Sequence, residues 1–225
     1  MLTNFTKERL IETSSLARRL YGVKLLLSRG LTDESKWFLM DRERLKYSNT
    51  LNPTGLVVDI GAYLGDFTAK LSDLNPDMSF KLYEPIPEFS KKCLTKFSTN
   101  KNVEVFPFAV TADGRELHLH IDGPRTKIDI SQEHLVCSSL SVTDVFRELA
   151  QVELLKMNIE GAEYECLFSL IESGDIYKIN YLLIQFHDFK SSDVENYSNL
   201  IHFLEKDFVN LFRYKWIWEM WKIKS

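Results

Sequence analysis

Little in this chain of 225 residues is present in excess. Three cysteines, Cys93, Cys137 and Cys166, are an odd number without metal-like spacing, which suits a reducing cytosol better than a disulfide framework. No apolar run approaches the ~20 residues that a membrane-spanning helix needs, and the first nine residues lack the apolar region of a signal peptide. Neither sign of charge dominates: 28 Lys and Arg against 32 Asp and Glu leave a net charge of −4, which argues against a general nucleic-acid binder. Internal repeats and low-complexity stretches are missing too. The expectation is a soluble, cytoplasmic protein. What the chain does hold is apolar material, 44% hydrophobic and 12% aromatic residues, enough for a sizeable core, and its length suits one large domain or one domain with a small appendage.

The organising stretch is Leu56 to Thr68, in which an apolar run reaches Asp59 and then passes Gly61 and Gly65. An apolar run closed by glycines reads as a buried parallel strand feeding a helix. Gly61 permits a tight turn, and Gly65 lets the helix sit against the strand. Strand and helix patterns then alternate: strand 56–60, helix 66–74, strand 79–83, helix 87–98, strand 103–110, a half-exposed strand 116–121, helix 143–150, strand 152–159, helix 161–173, strand 179–186 and helix 192–206. Residues 122–139, polar and carrying Gly123-Pro124, read as an irregular excursion over the site. The aromatic tail 209–222 reads as an antiparallel pair closing the sheet edge, with its tryptophans as core and edge cover. The fold class is α/β: a mostly parallel Rossmann-like sheet with helices on both faces. Ahead of it, residues 3–29 read as a helix with Leu16, Leu20, Val23 and Leu27 on one face, and a second helix is capped by Asp33 and runs to Leu45. The expected division is a helical extension over 1–52 and the main domain over 53–225.

Open α/β sheets bind nucleotide-like ligands at the carboxyl ends of their strands. Glu84 ends the second strand, 25 residues after Asp59, where a carboxylate can take the two vicinal hydroxyls of a ribose. The loop is Gly-x-x-x-Gly and lacks the Gly-x-Gly-x-x-Gly spacing of dinucleotide-binding enzymes, which disfavours a nicotinamide dehydrogenase.

Three motifs in this order, Asp59-Ile-Gly-Ala-x-x-Gly-Asp-Phe-Thr, Tyr83-Glu84-Pro85-x-Pro87 and Lys156-Met-Asn-Ile-Glu160-Gly161-Ala-Glu163, resemble the FkbM-type methyltransferases. The resemblance covers about residues 55–190. It implies a class I methyltransferase fold, S-adenosylmethionine as cofactor, and methylation of a hydroxyl on a sugar or natural-product acceptor. It places Asp59, Gly61, Ala62 and Gly65 at the methionine end of the cofactor, Glu84 at the ribose, and Ala109, at the end of the third strand, near the adenine. Asn158 stands where most members carry aspartate. An amide accepts no proton and brings no charge to a metal, so a divalent metal stays open, and a cofactor-binding module or partner subunit without turnover becomes the alternative reading. Asn158 could still touch the cofactor amine or orient a hydroxyl.

Methyl transfer to a hydroxyl needs a base, and His187, ending the fifth strand, is suited by its pKa range. Glu160 is the competing base. His118 and His120 form a His-x-His that reads as a solvated strand face. The partners expected are a small-molecule or glycan hydroxyl acceptor and, with no further specification, a second copy of the chain.

Overall fold

The computed structural model describes residues 20–21, 23–25, 27–28, 43–122, 125–128 and 135–225. The chain divides into two compact units, Met1–Leu51 and Asn52–Ser225. In the first, residues 20–21, 23–25 and 27–28 are helical. The expected apolar face does not pack: Leu20, Val23 and Leu27 are exposed, and Leu25, off that stripe, is buried. Leu16 and residues 33–42 lie outside the described residues. A 3-10 helix, Glu43–Thr50, extends through residues expected to begin a loop, and the Thr50 hydroxyl donates to the Tyr47 carbonyl at 2.7 Å.

The second unit is built on seven strands. In chain order they are β1 (Leu56–Ile60), β2 (Ser79–Tyr83), β3 (Val103–Phe106), β9 (Val152–Met157), β10 (Ile179–Ile184), β11 (Phe208–Tyr214) and β12 (Trp218–Ile223), arranged β11-β12-β10-β9-β1-β2-β3. All neighbours are parallel except β12, which runs antiparallel to both β10 and β11. The mostly parallel sheet with an antiparallel C-terminal edge is the architecture expected from the alternation of elements. Val57, Val58 and Ile60 of β1 and Leu154, Leu155 and Met157 of β9 are all buried, as a parallel sheet covered on both faces requires. Trp221 is fully buried within the same core. Helices α1 (Asp66–Leu74), α2 (Pro87–Lys96), α3 (Val142–Arg147), α4 (Glu163–Ser173) and α5 (Asp193–Asp207) supply the crossovers and the link to the edge.

Strand order reverses at β1, which lies between β2 and β9; that reversal opens a crevice above the strand tips. The register sets Asp59 beside Lys156 and Ile60 beside both Met157 and Tyr83.

Two expectations need correction. The third strand does not run to Val110. It stops at Phe106, because Pro107 has no N–H for the ladder, and Ala109–Thr111 forms β4, paired in parallel with β8 (Ser139–Ser141) in a separate two-stranded sheet. Ala109 is therefore not the tip of β3. Nor are the described residues of 122–139 irregular: β5 (Leu117–Asp122) pairs antiparallel with β6 (Arg125–Ile128) on one side and β7 (Leu135–Cys137) on the other. Inward Leu117, Leu119 and Cys137 pack with Leu64, Ile86, Phe89 and Ala109. The small sheet therefore leans on residues that flank Glu84. A lesser difference is the cap of α3, which is Ser141 and not Thr143; its side chain accepts the Asp144 N–H at 3.0 Å.

Candidate active site

The site begins where β1 must give way to α1. Gly61 lies at φ 79°, and a Cβ there would stand 1.9 Å from the Asn158 carbonyl oxygen. Only glycine lets the loops after β1 and β9 come this close. The N–H groups of Gly61 and Ala62 both donate to the Tyr83 carbonyl, at 2.9 and 3.2 Å, and the Asn158 N–H donates to Ile60 at 3.0 Å. Backbone hydrogen bonds thus lace the tips of β2, β1 and β9 together. Gly65, just before α1, sits where a Cβ would press within 2.7 Å of the Phe97 ring.

Glu84 follows β2 and is 4% exposed. One carboxylate oxygen accepts the Tyr63 N–H at 2.7 Å and the other the Ile86 N–H at 3.0 Å. A carboxylate offers about four acceptor positions, so each oxygen retains one. Burial pushes its pKa up to about 7, against the pull of the two backbone donors and of Lys156.

The Asp59 side chain is fully buried, one oxygen 2.9 Å from the Lys156 ammonium and the other accepting the Thr68 hydroxyl at 2.9 Å. Lys156 also donates to the Gly61 carbonyl at 2.6 Å. The ion pair braces the glycine turn from beneath.

Beyond β9 the chain makes an abrupt turn, with Glu160 at φ 54° and Gly161 at φ 104°. Glu163, the first residue of α4, reaches back to it: one carboxylate oxygen accepts the Ile159 N–H and the other the Gly161 N–H, both at 2.9 Å. His187, past β10, places Nδ1 3.0 Å from the Glu163 carboxylate and Nε2 3.5 Å from that of Glu160. Its carbonyl accepts the Tyr164 hydroxyl at 2.8 Å, and the half-exposed Phe189 ring tilts against the imidazole at 4.9 Å. Burial lowers the imidazole pKa, but the hydrogen bond and charge of Glu163, helped by Glu160 and Asp188, outweigh it, and the net shift is upward.

The amide oxygen of Asn158 is buried and has no hydrogen-bond partner. Among the described residues, no three His, Cys, Asp or Glu side chains gather as a metal site. The structure therefore brings Gly61, Ala62, Glu84, Asn158, Glu160 and His187 to the tips of β1, β2, β9 and β10, and leaves Ala109 in the small β4–β8 sheet. Sequence reasoning did not anticipate Thr68, whose place one turn into α1 gave a weak signal, or Phe189, which carried none.

Residues 59–213, more than half of the chain, match the methyltransferase FkbM domain. The chain belongs to the FkbM methyltransferase family. The family is one of methyltransferases, whose cofactor is S-adenosylmethionine. The FkbM methyltransferase structure from Methylobacillus flagellatus superposes with a TM-score of 0.52 at 14% identity, over 93% of this chain and 60% of that one. The chain thus spans about three-fifths of the length of that relative. A candidate methyltransferase from Streptococcus mutans, solved with SAH, gives 0.52 at 10% identity over 82% and 97% of the two chains. A candidate rRNA methylase from Clostridium thermocellum gives 0.51 at 11% identity over 83% and 96%. These likenesses are ones of fold. A search of curated proteins finds no match. Among the described residues, no helix is long and apolar enough to cross a membrane.

Proposed function

We propose that this FkbM-family chain transfers a methyl group from S-adenosylmethionine to a hydroxyl oxygen of a small-molecule or glycan acceptor. The observation that carries the reading is the Glu84 carboxylate, fixed by two backbone donors at the tip of β2 beside the Gly61 turn, with acceptor capacity to spare. Two vicinal ribose hydroxyls are the complementary donors. The rest of the crevice fits the cofactor as well. The buried, unpartnered amide oxygen of Asn158 is an acceptor suited to an ammonium, and the Gly61 turn brings it close to the tip of β1. Asp59 acts in this reading through the turn it braces with Lys156, and Ala62 and Gly65 through the backbone of that turn. Ala109 contributes through its packing with Leu64 and Ile86, next to Glu84.

The bound cofactor supplies an electrophilic methyl on a positive sulfur, so the protein's task is mainly positioning and proton removal. Nε2 of His187 would take the proton from the acceptor hydroxyl, and the bound cofactor would supply the methyl that replaces it on oxygen. Glu160, facing Nε2, stabilises the imidazolium that results. The three cysteines are free and buried, which agrees with a cytosolic setting. The net charge of −4 favours a small acceptor over nucleic acid.

Calorimetry with S-adenosylhomocysteine tests the cofactor assignment. Glu84→Ala should weaken binding about tenfold or more, the scale of a lost charge-assisted hydrogen bond; unchanged affinity removes the ribose role. A second reading is a cofactor-binding module without turnover, favoured by the amide at position 158. Cofactor binding with no methyl transfer across hydroxyl acceptors, and turnover restored by Asn158→Asp, would select it.

A further inference from the structure

We infer that Glu163 is the positioning residue of the site: its buried carboxylate fixes the His187 imidazole with the proton on Nδ1 and Nε2 bare toward Glu160. The same carboxylate holds the turn that presents Glu160. The consequence for catalysis rests on the reading of His187 as the base; the tautomer itself does not.

The geometry is specific. Glu163 is fully buried, and among the described residues no Lys or Arg is paired with it; its donors are the N–H groups of Ile159 and Gly161 and the imidazole of His187. A carboxylate in such surroundings accepts only, so a bare Nδ1 at 3.0 Å would set lone pair against lone pair in a buried site. Donation from Nδ1–H removes that cost and fixes the tautomer. Nε2 then carries the lone pair, and it does so at lower cost, since the Glu160 carboxylate stands farther off, at 3.5 Å, and is partly exposed to water. Groups from every neighbouring element act in the same sense or leave the ring alone: Glu160 from the turn after β9, Asp188 on the histidine's own segment, and the Tyr164 hydroxyl, which is engaged by the His187 carbonyl.

The backbone gives Glu163 its second task. Glu160 adopts a left-handed conformation that a side-chain-bearing residue rarely takes, followed by Gly161 at φ 104°. The bonds from Ile159 and Gly161 to one carboxylate close this turn around Glu160. One side chain thereby aims both candidates for proton removal. An aspartate, one methylene shorter, would not span from α4 to both the turn and the imidazole.

Nitrogen-15 NMR of the full chain labelled at histidine is the test, with His187 assigned among the five histidines by its loss in His187→Gln. In the wild type, neutral His187 should show a protonated Nδ1 and an unprotonated Nε2; the opposite tautomer or an even mixture overturns the inference without any variant. In Glu163→Gln the titration midpoint of His187 should move to lower pH and the tautomer preference should relax, and Glu163→Asp should not restore it. A midpoint unmoved in Glu163→Gln also overturns it. If that variant does not fold, the wild-type tautomer decides. Calorimetry with S-adenosylhomocysteine on the wild-type sample separates the two claims. Absent binding with the expected tautomer removes the proposed function alone, and binding with the wrong tautomer removes this inference alone.

Discussion

At the scale of single residues, Glu84 ties chemistry to pH most directly. Burial carries its pKa from 4.5 to about 7, so the carboxyl resists ionisation. A group raised in the folded state contributes stability that is full below its unfolded pKa and is lost as pH rises through the folded one. The ligand-free protein should therefore gain stability from Glu84 as pH falls from about 7 toward 4.5. Binding has the opposite sign, because ribose hydroxyls need acceptors and the ionised form offers more of them. Affinity for S-adenosylhomocysteine should climb between pH 6 and pH 8, a slope that Glu84→Gln abolishes. Calorimetry across that range checks it, and a flat profile in the wild type contradicts the role given to this carboxylate.

At the scale of elements, the question is what keeps three strand tips in register around a turn that only glycine can make. Part of the answer is the Asp59–Lys156 pair, linking β1 to β9 beneath the crevice. Removing one partner of a buried pair leaves an uncompensated charge, which costs about 3–5 kcal/mol. Lys156→Met should lose stability on that scale in denaturant unfolding, and the double change Lys156→Met with Asp59→Asn should recover much of it. A single variant as stable as the wild type would show that the pair does not brace the turn.

Elements also mark where the sequence was readable. β1, β2, β9 and β10 were legible because buried parallel strands are continuous apolar runs, and the glycines and Glu84 stood at their ends. The antiparallel tail was legible from its spaced aromatics. β6 was not, since Arg125, Thr126 and Lys127 look like loop residues and owe their strand state to pairing with β5. The end of β3 was misjudged by passing over Pro107. Of the site, residue types and strand ends could be read, but not the direction of side chains. Nothing in the spacing said that Asp59 turns inward to Lys156 or that Glu163 turns back to His187.

At the scale of the whole molecule, the seven-stranded sheet, its crossovers and all the residues assigned to the site belong to Asn52–Ser225. We propose that this unit is the methyltransferase domain and that Met1–Leu51 is a separate appendage. The fragment 52–225 should then unfold in one cooperative transition and bind S-adenosylhomocysteine about as tightly as the full chain. Lost binding in a folded fragment would place part of the site in the first unit. Within the larger unit, the β5–β6–β7 sheet packs against Leu64, Ile86 and Phe89, beside Glu84; under the proposed function it would form a wall of the adenosine end.

A crystal structure of the full chain with S-adenosylhomocysteine addresses the central claim most directly. The account predicts both ribose hydroxyls within hydrogen-bond distance of the Glu84 carboxylate, the Gly61 turn against the amino-acid end, and the sulfur facing the Glu160–His187 side. A ligand seated elsewhere, or a ribose turned away from Glu84, would contradict it.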